Sequence, residues 1–184
     1  CEHCDLRDLF FGHVDEGMLN EMCESRSERA FGSGEVIIHE GREIRKFIYL
    51  KEGLVKLFRT DDGGKSQIIA VGKPLDFVSL LSAFSEDSYK YSVSAIESSV
   101  TCELPMERIR ILAGENGAFA MDLMKKLSRT TDNIIIDFLE IRKKQLRGRV
   151  AHVLLFFSNS IYKSERFELP ITRKEIAEII GMTP

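Results

Sequence analysis

The chain has 184 residues, of which 43% are hydrophobic and 30% charged, with a formal net charge of −3. This composition allows a substantial buried core in a protein that stays soluble. No apolar run approaches the ~18 residues of a membrane-spanning helix, and residues 1–11 lack the apolar centre of a signal peptide.

The four cysteines are too few and too scattered for a disulfide framework in a chain of this size. We therefore expect a cytoplasmic protein whose cysteines are reduced or hold a metal. The four cysteines are Cys1, Cys4, Cys23 and Cys102.

Residues 29–103 are predicted to form short antiparallel strands, preceded by a short helix over 16–25. Turn signals at 32–34, 61–64 and 72–74 separate the β-rich runs. Short strands separated regularly by turns are typical of an antiparallel sandwich or barrel. The DDGG turn is a hairpin signal because Gly supplies the positive φ that the turn requires. The predicted strands are EVIIHE, KFIYLKEG, LVKLFRT, SQIIAVG, YSVSAIE and SVTCELP.

Residues 105–146 are predicted to be helical, with Pro105 at the start. The stretch after GENG lacks Pro and Gly until Gly148, giving a helix of about 40 Å at ~1.5 Å per residue. Its apolar residues recur at steps of three, four or seven, as in a coiled-coil seam. We expect a two-fold dimer along this helix, the alternative being an ordinary core helix. The expected dimer interface contains Leu123, Leu127, Ile134, Phe138 and Ile141.

The last segment, 148–184, begins with a short amphipathic helix, GRVAHVLLFFSNS, and an extended stretch, RFELPIT. Thr172 and Glu175 then form a predicted capping box, and Gly181 is suited to end the helix in a left-handed conformation. Thr183 can cap a following helix. Helix, tight turn and helix start together are typical of a helix-turn-helix.

The C-terminal part is basic although the whole chain is acidic. Residues 141–184 hold nine Lys/Arg against four Asp/Glu, a local charge of +5 that leaves −8 for the preceding 140 residues. A basic tail on an acidic body indicates a polyanion as partner of the tail, the alternative being a solvated helix surface.

In its order of parts the chain resembles the Crp–Fnr family of bacterial transcription regulators. GEVIIHEG and the run from FIYLKEG to LLSAF resemble the family's effector-binding β-roll, and the following helix resembles its dimerisation helix. RGRVAHVLLFFS and ITRKEIAEIIGMTP resemble the start of its winged helix-turn-helix. The resemblance implies an α+β protein with a sensor domain (1–116), a dimerisation helix (117–146) and an incomplete DNA-binding domain (147–184). We expect the recognition helix to follow Pro184.

The resemblance suggests cyclic AMP as effector, but three positions depart from it. Ser79-Leu80 stand where cyclic-nucleotide binders place Gly-Glu, and Leu80 cannot accept a hydrogen bond from a ribose hydroxyl. Lys90-Tyr91 align with the phosphate-binding Arg-Ser pair, and Ile134-Ile135 align with the adenine-reading Thr-Ser pair. An apolar or planar effector, or none, is expected instead. The expected pocket contains Ser79, Leu80, Leu81, Lys90, Tyr91, Ile134 and Ile135.

The family's oxygen-sensing branch binds an iron–sulfur cluster through four cysteines. Cys1 and Cys4 match the first two, and Cys102 matches the ligand in a strand, but Phe10 occupies the third position and cannot bind iron. We therefore assign no metal site and expect Cys102 to be a small buried hydrophobe. Zinc held by Cys1, Cys4, His3 or His13 is a weaker alternative, and haem held by His39, His152 or a cysteine is another.

An enzyme is not expected. A cupin-like metalloenzyme needs a His-x-His pair with a nearby Glu, whereas His39 has no second His, and no nucleophile-elbow or phosphate-loop motif occurs. A regulatory module that binds a small molecule but no DNA is another alternative.

The resemblance implies that a signal in the roll shifts the packing of two long helices and thereby the DNA affinity. DNA, a second copy of the chain, RNA polymerase and an unknown effector are the expected partners. The expected DNA contacts, mainly to phosphates, are Thr172, Arg173, Lys174 and Thr183.

Overall fold

Seven antiparallel strands form two sheets in this computed structural model, which describes residues 14, 16–85 and 87–182. The three-stranded sheet has the order β1-β7-β3, and the four-stranded sheet has the order β2-β6-β4-β5. The strands are β1 Ser27–Phe31, β2 Val36–Ile38, β3 Lys46–Glu52, β4 Val55–Thr60, β5 Ser66–Gly72, β6 Ser92–Ala95 and β7 Ser99–Pro105.

The helices lie mainly after the strands, as the sequence predicts. None of those within the described residues is both long and apolar enough to cross a membrane. They are α1 Glu16–Glu24, α2 Leu80–Ala83, α3 Met106–Glu115, α4 Gly117–Arg142, α5 Leu146–Phe156, a π-helix Phe157–Tyr162, and α6 Arg173–Ile180.

The predicted antiparallel β-roll is confirmed, with two local differences. β1 is an additional edge strand, hidden in the sequence because only Phe31 of its five residues is buried. The strand expected over 35–40 shortens to β2, whose register with β6 shifts between Val36 and Ile38.

The DDGG hairpin joins β4 to β5. The Asp61 N–H donates to the Lys65 carbonyl over 3.0 Å, and Asp61 Oδ1 accepts from the Gly63 and Lys65 N–H groups. Gly64 adopts a φ of +78°, the left-handed conformation expected of the turn glycine.

The predicted helical region over 105–146 is confirmed but divided. Asn116 has an extended conformation, and its Oδ1 accepts from the Phe119 N–H over 3.0 Å, so it ends α3 and caps α4. α4 then runs for 26 residues, or about 39 Å at ~1.5 Å per residue.

Two apolar clusters hold the structure together. The larger fills the roll and takes in α3 and the first half of α4 through Ile109, Phe119 and Leu123. The smaller joins the C-terminal helices to the roll, and its buried residues include Leu54 just before β4, Ile96 just after β6, and Phe157. The C-terminal module, defined here as residues 146–182, is therefore packed directly on the roll.

Candidate nucleic-acid interface and sensor core

The N-terminus of α6 carries the predicted capping box. The Glu175 N–H donates to Thr172 Oγ1 over 3.2 Å, and the Thr172 N–H donates to Glu175 Oε2 over 2.7 Å. This reciprocal pair satisfies two N–H groups that a helix start leaves without partners. The predicted stop also occurs: Gly181 has a φ of +70°.

The basic side chains at this helix start lie in solvent. Thr172, Arg173 and Lys174 are all exposed, and Lys174 approaches Glu178 at 3.8 Å while 72% of its side chain stays exposed. Two cations beside a helix N-terminus, which itself attracts negative charge, form an arrangement suited to phosphate groups. The fourth predicted contact, Thr183, lies outside the described residues.

Lys56 of β4 binds the same capping carboxylate from the roll. Its Nζ donates to Glu175 Oε1 over 2.7 Å, with only 20% of the Lys56 side chain and 17% of the Glu175 side chain exposed. Burial raises the pKa of Glu175, but hydrogen bonds from Lys56 and Thr172 outweigh it and leave this pKa below its ordinary value. No local sequence signal pairs residues 119 positions apart.

The predicted effector pocket is densely packed at its centre. Ser79 and Leu80 are almost fully buried, and Ser79 Oγ accepts from the Ile48 N–H over 2.8 Å. Tyr91 is also buried, with its hydroxyl donating to the Val78 carbonyl over 3.2 Å, and burial raises its pKa to about 12. These polar groups are already satisfied within the protein.

The other predicted pocket residues do not share one cavity with this centre. Leu81 packs against the roll core, whereas Lys90 is exposed. Ile135 of α4 is 51% exposed, and Ile134 lines a separate cleft. A helical repeat identifies apolar residues but does not distinguish which neighbour each one contacts.

That separate cleft has a volume of about 830 Å³ and was not anticipated from the sequence. It lies between the β4–β5 hairpin, the second half of α4, α5 and the end of α6, with Ile134, Phe138, Ile141, Arg149 and Glu178 among its lining residues. Four separate elements form it, so no continuous motif could have indicated it.

The predicted dimer residues occupy three different environments. Leu123 is buried in the roll core, and Leu127 is partly buried against it. Ile134 and Ile141 line the cleft, while Phe138 lines it too and remains 45% exposed. The largest exposed apolar side chains of α4 are Met121, Met124, Ile135, Ile136, Phe138 and Leu139.

A strained loop precedes the buried Ser79, which the sequence did not indicate. Leu75 has a φ of +76°, a conformation that costs a bulky residue roughly 1–3 kcal/mol. Lys126 of α4 binds this loop, with its Nζ 3.5 Å from the Leu75 carbonyl oxygen and 3.5 Å from Asp76 Oδ1. Lys126 thus joins the long helix to this loop of the roll.

The candidate metal ligands are only partly covered by the structure. Cys1 and Cys4 lie outside the described residues, and Cys102 is buried, with 4% of its surface exposed. Cys23 is disulfide-bonded, so the expectation that the cysteines are reduced or metal-bound is wrong for this residue. Within the described ranges, no three His, Cys, Asp or Glu side chains are grouped to hold a metal. The described residues alone therefore do not fit an iron–sulfur cluster.

Known proteins are similar to this chain in sequence and in architecture. The sequence profile of the cyclic nucleotide-binding domain matches residues 28–116, from β1 to just beyond α3. The transcriptional activator protein FnrA of Stutzerimonas stutzeri is 27% identical over 190 residues, a match that spans 99% of this chain and 77% of FnrA.

Two solved structures extend the likeness to the whole fold. FixK2 of Bradyrhizobium japonicum gives a TM-score of 0.77 at 22% identity, covering 86% of this chain and 78% of FixK2. A protein of Eubacterium rectale classed in the Crp/Fnr family gives a TM-score of 0.81 at 16% identity, covering 99% of this chain and 82% of its own. At these identities the superpositions show a common fold.

Proposed function

Because the chain belongs to the Crp–Fnr family of transcription regulators, we propose that it binds DNA sequence-specifically and that a signal sensed in its roll controls the affinity. The observation that carries this proposal is the capped, basic N-terminus of α6, exposed on a module that is packed on the roll. The proposed parts are a sensor domain (1–116), a dimerisation helix (117–146) and an incomplete DNA-binding domain (147–184).

Thr172, Arg173 and Lys174 bind DNA phosphates in this proposal, together with Thr183. Their exposure and their place at a helix N-terminus support the role. Such contacts orient the protein on the duplex without reading its sequence.

We propose a revised dimer surface along α4, called here the outer seam, which consists of Met121, Met124, Ile135 and Phe138. Their positions follow the heptad spacing of three and four through Ser128 and Thr131, and all four are at least 45% exposed. Leu123 and Leu127, which face the roll, stabilise the protomer instead.

The signal is proposed to be something other than cyclic AMP. Ser79 and Tyr91 already bond to the backbone of the roll, and Leu80 offers no acceptor for a ribose hydroxyl. The strained loop at Leu75 and its contact with Lys126 offer a route from the roll to the long helix.

A redox signal is the second candidate. Cys1-x-x-Cys4 and the similarity to FnrA over nearly the whole chain favour it. Anaerobic purification followed by absorption spectroscopy and iron and sulfide analysis tests it; colourless, iron-free protein that responds to a small molecule would contradict it.

The protein acts in the cytoplasm in this proposal, contacts RNA polymerase on its promoters and catalyses no reaction. The regulatory relatives support these assignments.

Binding to labelled genomic fragments at several salt concentrations tests the DNA contacts. Replacing Arg173 or Lys174 by Met should weaken binding to every sequence alike and reduce the slope of log affinity against log salt by about 1 each. Lys125→Met removes one exposed charge on α4 and should change little. Loss of binding to one sequence only, or an equal loss with Lys125→Met, would contradict the assignment.

A further inference from the structure

Lys56 links the central part of the roll to the helix that is proposed to approach DNA. It lies on β4, between Val71 of β5 and Ser94 of β6, in the four-stranded sheet. Its neighbours Val55 and Leu57 are buried in the roll core, so the alternation along the strand places Lys56 on the opposite face. From there its Nζ reaches Glu175 over 2.7 Å.

Glu175 makes two sets of contacts at once. Oε1 accepts from Lys56, while Oε2 accepts from both the N–H and the hydroxyl of Thr172, over 2.7 and 2.9 Å. The carboxylate that caps α6 is therefore also the group that the roll holds. Rotation of α6 away from the roll breaks either the ion pair or the cap.

The apolar contacts nearby do not by themselves set the orientation of α6 on the roll. The cluster around Leu54, Ile96 and Phe157 holds the module on the roll, but side chains of this kind attract without fixing an angle. A charged hydrogen bond at a largely buried position is directional and strongly dependent on geometry. The apolar cluster therefore attaches the module to the roll, and the Lys56–Glu175 pair orients it.

We infer that Lys56 is a positioning residue for DNA binding, which acts by holding Glu175 and thereby fixing the angle at which α6 presents its N-terminus. This inference rests on the proposed function. A movement of β4 is carried to Thr172, Arg173 and Lys174 through this ion pair. The pair also neutralises a carboxylate that otherwise repels phosphates beside Arg173.

The experiment uses the intact protein and four variants: Lys56→Met, Lys56→Arg, Glu175→Gln and the double variant Lys56→Met/Glu175→Gln. Lys56→Arg keeps a donor for Glu175, and Glu175→Gln keeps a side chain that can cap α6. Lys73→Met is the control. Lys73 is exposed in the turn after β5, and its side chain makes no described ion pair, so the substitution removes one exposed charge only. DNA affinity is measured on two unrelated fragments, and hydrogen exchange is measured at the Thr172 and Glu175 amides.

Lys56→Met should weaken binding to both fragments at least five-fold and speed exchange at both amides at least five-fold. Lys56→Arg should stay within two-fold of the wild type, as should Lys73→Met. On the Glu175→Gln background, Lys56→Met should change either readout less than two-fold. The single amide oxygen of Gln is used to cap α6, and its NH2 group cannot accept a hydrogen bond from Lys56, so the charged contact is already gone.

An equal loss of affinity on the Glu175→Gln background would overturn the inference, since Lys56 would then act on DNA by itself. Unchanged amide exchange in Lys56→Met would also overturn it. If the wild-type protein binds no DNA, the proposed function fails, while the exchange measurement still decides whether Lys56 holds α6.

Discussion

Gly53, in the turn between β3 and β4, lies where the structure leaves no room for a side chain. It has a φ of +87°, and a Cβ there would lie 2.5 Å from the Ser98 carbonyl oxygen and 2.7 Å from the Ser99 Cα, neither of which can swing aside. Gly53→Ala should therefore lower the free energy of unfolding by about 2–4 kcal/mol, measured by urea denaturation.

Gly64 provides the matched control. Its φ of +78° is similar, but a Cβ at this position would meet no described atom within 4 Å, so Gly64→Ala should cost only about 1 kcal/mol. If both substitutions lowered the free energy of unfolding equally, the positive φ alone would account for the loss, and the contact of the Cβ with Ser98 and Ser99 would add nothing to it.

At the scale of elements, α4 serves two partners with one apolar repeat in the proposed dimer: the roll and a second copy of the chain. The face with Leu123 is buried against the roll, whereas the outer seam with Ile135 lies in solvent in the protomer. A sequence repeat indicates both faces without distinguishing them, so the predicted interface combined residues of each.

Ile135→Asp should raise the dissociation constant of the proposed dimer at least about 30-fold, because it places a charge in a seam where a central apolar contact contributes about 2 kcal/mol. Sedimentation equilibrium measures the change. Ile111→Asp, at a side chain of α3 that is 46% exposed, serves as the control and should leave the association unchanged. A monomeric wild-type protein, or equal effects of both substitutions, would contradict the outer seam.

At the scale of the whole molecule, the orientation of the module on the roll should depend on pH through Glu175. Its pKa is lower when folded than its ordinary value of 4.5, so its contribution is fully present above that value and is lost as the pH falls through the folded pKa. As the pH falls below 4.5 and through the lowered pKa of Glu175, the methyl NMR signals of Ile171 and Ile180 should shift because the Lys56 contact is lost.

Glu175→Gln removes the titrating group and should abolish the part of this shift that belongs to the ion pair. A shift of the same size and midpoint in the Glu175→Gln variant would show that other carboxylates control the module.

The features correctly predicted from the sequence are those that depend on neighbouring residues. The DDGG turn, the Thr172–Glu175 cap and the Gly181 stop each follow from the backbone preferences and short side chains of a few residues. The order of strands and helices was also predictable, whereas β1 was not, because a largely exposed edge strand lacks an apolar pattern.

The sequence by itself determined the run of short antiparallel strands, the long helix and the capped start of α6, since local hydrogen bonding and hydrophobic periodicity specify such elements. The arrangement of these strands as a β-roll was implied by the resemblance to the Crp–Fnr family. Only the tertiary structure decided which face of α4 is buried, that Ser79 and Tyr91 are satisfied inside the roll, and that Lys56 meets Glu175. These depend on contacts between residues far apart in the chain, and a periodic pattern carries no information about which distant surface each residue will meet.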